Sequence, residues 1–134
     1  MIGMGTRWND AENEIVISSG PCGGTTQYPG SGKSIAAAIS PLTEVVIDSN
    51  AGGHFGPYLK FGGWDALELQ GKADAEVVIY IDAQTGCVQI LEAPETCPTD
   101  THVLGQWVLE TFAANEQDRQ LISLVSAGRG SEHS

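Results

Sequence analysis

Residues 40–72 read SPLTEVVIDSNAGGHFGPYLKFGGWDALELQGK. The stretch sets glycines around one asparagine, Asn50, with a short apolar run on either side. Glycine lets the main chain approach a ligand closely or turn with positive φ. The segment therefore reads as a surface for a flat polar guest. The plainer reading is a set of tight turns between strands, the commonest use of glycine.

Working outward, short apolar runs bounded by turn residues predict strands. These are Glu14–Ser18, Ile35–Ile39, Val45–Asp48, Ala66–Gln70, Val77–Ile81 and Val88–Leu91. Asp82–Gly86 predicts the turn of a hairpin, with Cys87 a small half-buried residue at its mouth. Residues 53–61 predict one or two helical turns, with Pro57 in the first turn, where a missing N–H costs least. Phe55, Tyr58, Leu59 and Phe61 then share one face. Val103, Leu104, Trp107, Val108, Thr111 and Phe112 recur at helical spacing behind Pro98-Thr99-Asp100-Thr101, predicting a capped helix over about 99–114 whose stripe is core. Asn115–Arg119 reads as a polar link and Leu121–Val125 as a last strand. The fold class is α+β, with mixed β-sheets, one main helix and one short helical segment.

At 134 residues the chain is one domain, and 41% hydrophobic residues suffice for a core. The net charge of −11 argues against a nucleic-acid surface. The basic residues are Arg7, Lys33, Lys60, Lys72, Arg119 and Arg129, so an anionic ligand would lean on main-chain N–H groups. No apolar run approaches the ~20 residues of a membrane span. No signal-peptide core is visible, which points to the cytoplasm. Cys22, Cys87 and Cys97 fit no zinc or CxxC spacing and read as reduced thiols. His54, His102 and His133 form no ligand pair.

Residues 30–34, GSGKS, suggest a phosphate loop and nucleotide binding through Gly30–Ser34. The motif requires glycine where Gln27 stands, a strand directly before it and a helix opening directly after it. A strand some eleven residues upstream and Pro41 downstream both speak against it. What survives is Lys33, a cation in a glycine-rich loop suited to an anionic oxygen.

In order, GP at 20–21, SGK at 31–33, SPLT at 40–43, DSNAGG at 48–53, FGPYLK at 55–60, GGWDAL at 62–67, GKA at 71–73 and VVIYI at 77–81 resemble the N-terminal domain of the aldehyde:ferredoxin oxidoreductases. The likeness covers about 14–133. It implies enzymes that oxidise aldehydes to carboxylic acids, with ferredoxin as acceptor. They carry tungsten or molybdenum on two pterins and a four-iron four-sulfur cluster. It further implies that this domain cradles the bis-pterin. Lys33 takes the cofactor contact of the family's arginine, and Asn50 lies at the magnesium joining the pterin phosphates. Gly52 and Gly53 offer the bare main chain. Lys33 for arginine replaces a bidentate fork by a point charge. Cys22 stands where leucine is usual, and GRGSEH at 128–133 where the family has GPAGEN.

The resemblance places the cluster and the catalytic residues in parts not seen in these 134 residues. It implies one incomplete domain: a piece of a cofactor domain, a truncated product or a subunit of a split enzyme. The remaining domains or subunits would be its partners, and the isolated chain would be inactive. Unpaired strand edges would favour self-association. The alternative is an inactive remnant or small interaction domain that keeps the fold without binding pterin.

Overall fold

The computed structural model describes residues 3–95, 99–128 and 130. Cys97, Pro98, Arg129 and His133, named above, lie outside them. Strands β1 (Glu14–Ser19), β2 (Ser34–Ile39), β3 (Val46–Ala51) and β4 (Ala66–Gln70) form an antiparallel sheet in the order β3-β2-β1-β4. Helix α1 (Phe55–Phe61) lies between β3 and β4 in sequence. Strands β5 (Val77–Asp82) and β6 (Cys87–Glu92) pair as a separate hairpin, followed by α2 (Thr101–Phe112) and the single turn α3 (Glu116–Arg119). These elements make an α+β fold.

Period-two alternation sets the sheet's faces. Ile17 lies opposite Ala36 on one side and Leu67 on the other, so the three share a face. Ile17 is buried there and Leu67 half-buried. The alanines of β2, half-buried in mid-sheet, keep the strand thin. In the β2–β3 turn, Ser40 Oγ accepts from the N–H of Leu42 at 3.2 Å and of Thr43 at 3.3 Å. Glu44 closes that turn in the left-handed region, at φ 54°.

Helix α1 packs against β1. Pro57 occupies its first turn, where an N–H would have no intrahelical acceptor. Its C-terminus is a Schellman turn: Trp64 N–H donates to Leu59 at 3.1 Å and Gly63 N–H to Lys60 at 3.0 Å, with Gly63 at φ 90°. Gly56, Pro57 and Leu59 are the buried residues of this helix, and Phe61 is 65% exposed. The single apolar face expected over 53–61 is therefore divided.

Asp100 caps α2 by accepting from the N–H of His102 at 2.9 Å and of Val103 at 3.1 Å. Phe112 stacks on Tyr80 of β5, ring centres 4.9 Å apart, which docks the helix on the hairpin. The stripe of α2 is core only in part, since Val108 is buried and Val103 half-exposed.

Three expectations are corrected. The polar link is a one-turn helix, because Asn115 Oδ1 accepts from the N–H of Gln117 and Asp118 and starts it. Leu121–Val125 forms no strand. That segment runs back toward α2, and a Cβ on Gly128 would stand 3.1 Å from Thr101 Cγ2, so it meets a helix instead of a sheet edge. Cys87 is exposed, because the two-stranded hairpin leaves that face uncovered.

The core is thin. Among the described residues Ile17, Ile39, Leu59 and Val108 are its buried hydrophobics, and no large side chain is fully buried. Edge strand β3 is exposed at all six positions.

Candidate cofactor-binding surface

The end of the sheet sets the geometry. Ser19, Ser34 and Ala51 lie opposite one another across β1, β2 and β3. One step beyond this row, Lys33 faces Gly52, and a Cβ on Gly52 would stand 3.8 Å from Lys33 Nζ. Asn50 lies opposite Ile35. By alternation, Asn50 shares the face that carries Lys33 and Gly52, two rows inward. Asn50, Gly52 and Lys33 are exposed. Gly53 turns the chain at φ 103° with open space where a side chain would be, and its carbonyl lies 3.4 Å from where a Cβ on Gly32 would stand. The four residues singled out in sequence, Lys33, Asn50, Gly52 and Gly53, thus come together at one corner of the sheet.

The charge there is available. Lys60 is paired with Asp65, and Arg119 lies 3.8 Å from Glu116. Lys33 has no ion-pair partner among the described residues. Its ammonium therefore stands beside the main chain of Gly52, with no carboxylate among the described residues paired to it.

Next to this corner is a cleft of about 800 Å³. One wall is the loop 24–32. The other is Gly53 with His54, Pro57, Tyr58 and Phe61 at the start and along the side of α1. The loop is held by its own bonds: Gly24 N–H to Ser31 carbonyl at 2.9 Å, and Ser31 Oγ to Thr25 carbonyl at 2.7 Å. His54 stacks on Tyr58 at 5.5 Å, and Phe61 tilts against Tyr58 at 6.2 Å. Sequence reasoning missed this aromatic wall. The signal was present: aromatics at 54, 55, 58 and 61, interleaved with glycine and proline, make a poor core helix.

The loop 30–34 does not open a helix. Ser34 begins strand β2, so the helix N-terminus that a Walker-type loop needs is not at that place. Among the described residues no helix is long and apolar enough to cross a membrane.

Residues 2–134 match the family described as aldehyde ferredoxin oxidoreductase, N-terminal domain. Tungsten-containing aldehyde ferredoxin oxidoreductases are similar in sequence. That of Pyrococcus horikoshii is 36% identical over 124 residues, which is 91% of this chain and 19% of the relative. That of Pyrococcus furiosus is 35% identical over the same length and shares. That of Thermococcus kodakarensis is 36% identical over 107 residues, 80% of this chain and 16% of the relative. The chain spans about a fifth of the length of the first two. A solved chain of the active site complex BamBC of benzoyl coenzyme A reductase, in complex with 1,5 dienoyl-CoA, superposes with a TM-score of 0.71 at 24% identity. It covers 79% of this chain and 16% of that one, and the likeness shows the fold alone. The chain belongs to the aldehyde ferredoxin oxidoreductase N-terminal domain family.

Proposed function

We propose that this chain forms part of the cradle for a metal-bearing bis-pterin in an oxidoreductase that converts aldehydes to carboxylic acids. Tungsten is the metal its relatives' names give. The observation that carries the reading is the corner where Lys33 Nζ stands 3.8 Å from the place a Gly52 side chain would take. A Cβ there would fill the gap between ammonium and main chain. Glycine leaves it open to a phosphate oxygen.

The donors present suit the group. Lys33 offers a point charge to a phosphate. Asn50 Oδ1 offers a neutral oxygen to magnesium, which keeps several waters and asks little more of the protein. Gly52 and Gly53 let the main chain approach the pterin. The pterin-bound metal supplies the redox chemistry when bound, and these residues hold and orient the group. The 134 residues act as one unit of a larger cofactor domain in the cytoplasm. The rest of the assembly provides the iron–sulfur cluster, the substrate pocket and the ferredoxin contact.

The test is metal analysis of the chain assembled with the remaining polypeptide. Tungsten or molybdenum should co-purify, and Lys33→Ala and Asn50→Ala should each lower the metal content. Retention unchanged in both variants would favour a remnant that keeps the fold without the cofactor. Absence of both metals from the wild-type assembly would end the proposal.

A further inference from the structure

Three parts of the candidate surface meet at one buried side chain. Ser19, at the end of β1, is 8% exposed. Its hydroxyl donates to the carbonyl of Lys33 at 3.4 Å. A Cβ on Gly23, at the root of the loop wall, would stand 1.9 Å from Ser19 Oγ. A Cβ on Gly56, in the helix wall, would stand 3.4 Å from both Cβ and Oγ of Ser19. The N–H of Ser19 in turn donates to the Asp65 carbonyl at 3.2 Å. Loop, helix and the segment that carries the lysine thus meet at one hydroxymethyl group. At Gly23 nothing larger fits against it, while a Cβ on Gly56 would rest on it at ordinary contact distance and come closer, 3.1 Å, only to Ser34 Cβ.

We infer that Ser19 is the positioning residue of this surface, setting the direction of the Lys33 side chain and the width of the adjoining cleft. The physical basis is twofold. Fixing the Lys33 carbonyl fixes the peptide plane between Lys33 and Ser34, and with it the direction in which Lys33 leaves the chain. The bond is long, so packing contributes as well, and the hydroxymethyl group is the spacer on which Gly23 and Gly56 rest. Alanine keeps most of that volume and removes the donor. Ser34 supports the same corner from the next strand, donating to the Ala51 carbonyl at 3.4 Å just before Gly52.

The inference rests on the cradle reading for its functional meaning, and the experiment separates the two. In the isotopically labelled full chain, the contact between the Lys33 ε-methylene and the Gly52 α-protons is followed by nuclear Overhauser effects. Magnesium pyrophosphate is then titrated against the Gly52 and Gly53 amide signals. The wild type should show the contact and saturable shifts. Ser19→Ala should lose the contact and bind about five-fold more weakly, the worth of one hydrogen bond. Ile17→Val, a buried change on the same strand, controls for general loss of stability and should keep both. If Ser19→Ala retains the Lys33–Gly52 contact, or if Ile17→Val loses it equally, Ser19 does not position the lysine. If pyrophosphate shifts nothing, or binds Lys33→Ala as it binds the wild type, the cradle reading fails instead, and the Overhauser comparison still decides the role of Ser19.

Discussion

The phenol of Tyr58 donates to the backbone carbonyl of Gln120 at 2.9 Å, joining positions 62 apart in sequence. It ties α1, one wall of the cleft, to the end of α3. Tyr58→Phe keeps the ring and its stack on His54 and removes only the donor. The bond is exposed, so the loss should be small, about 0.5 kcal/mol in urea unfolding. Amide exchange at Gln120 and Leu121 should rise at the same time. Unchanged exchange would mean that the C-terminal segment is held by its other contacts.

Asp82 closes the β5–β6 hairpin. Its carboxylate accepts from Thr85 Oγ1 at 2.7 Å and from the N–H groups of Gln84 at 2.9 Å and Thr85 at 3.3 Å. The Thr85 hydroxyl, then the Gln84 amide, hold its pKa below the ordinary 3.8. A depressed carboxylate stabilises the fold above its unfolded pKa, and that contribution is lost as pH falls through the folded value. Asp82→Asn cannot titrate. The difference in Tm between wild type and Asp82→Asn should be constant near neutrality and should shrink below about pH 4. A difference that stays flat through the acid range would rule out the link.

Most of the scaffold is legible in the sequence, and the reasons are local. β4 has its expected bounds, and the bounds of most other strands and of α2 shift by a residue or two, because alternation and an Asp cap act within a few positions. β3 runs three residues further than expected, to Ala51. Leu121–Val125 has strand composition, but composition cannot supply an edge to pair with. Asn115 reads as linker because its capping of Gln117 and Asp118 shows only in the backbone turn. At the site, Lys33 and Asn50 can be named from sequence. That Lys33 lies across from Gly52 follows from the β2–β3 register, which the turn at 40–45 sets, and no single residue announces it. Ser19 is invisible for the same reason: its partners Gly23, Lys33 and Gly56 come from three different segments.

Gly23 and Gly24 adjoin in the loop but should respond differently to alanine. A Cβ on Gly23 would meet Ser19 Oγ at 1.9 Å and the Gly20 carbonyl at 2.9 Å, and that carbonyl already accepts from Gly23 N–H at 2.8 Å. Neither neighbour can retreat cheaply, so Gly23→Ala should cost about 3 kcal/mol, the upper end for overpacking. Gly24 sits at φ 76°, and its Cβ would meet the rim of the Phe61 ring at 2.9 Å. Phe61 is exposed and can swing aside, which leaves the left-handed backbone cost of about 1–2 kcal/mol. Denaturant titrations should rank Gly23→Ala as the more damaging change. Adding Phe61→Ala should recover little of the Gly24→Ala loss. The reverse ranking would show that the loop rests on Phe61 instead of Ser19.

Phe112 joins the two halves of the aromatic cluster. It stacks on Tyr80 at 4.9 Å and 12° between planes, and Trp107 meets its ring edge-on at 6.4 Å and 89°. With the core so thin, this is the main aromatic bond between α2 and the hairpin among the described residues. Phe112 is half-buried, so Phe112→Ala should cost about 2 kcal/mol, below the range for a fully buried phenylalanine. The near-ultraviolet circular dichroism of Trp107 and Tyr80 should weaken, because both rings lose their fixed neighbour. The Lys33–Gly52 contact, which belongs to the other sheet, should persist. If Phe112→Ala abolished that contact as well, the hairpin and the four-stranded sheet would unfold as one unit, and the surface around Lys33 would depend on α2 for its shape.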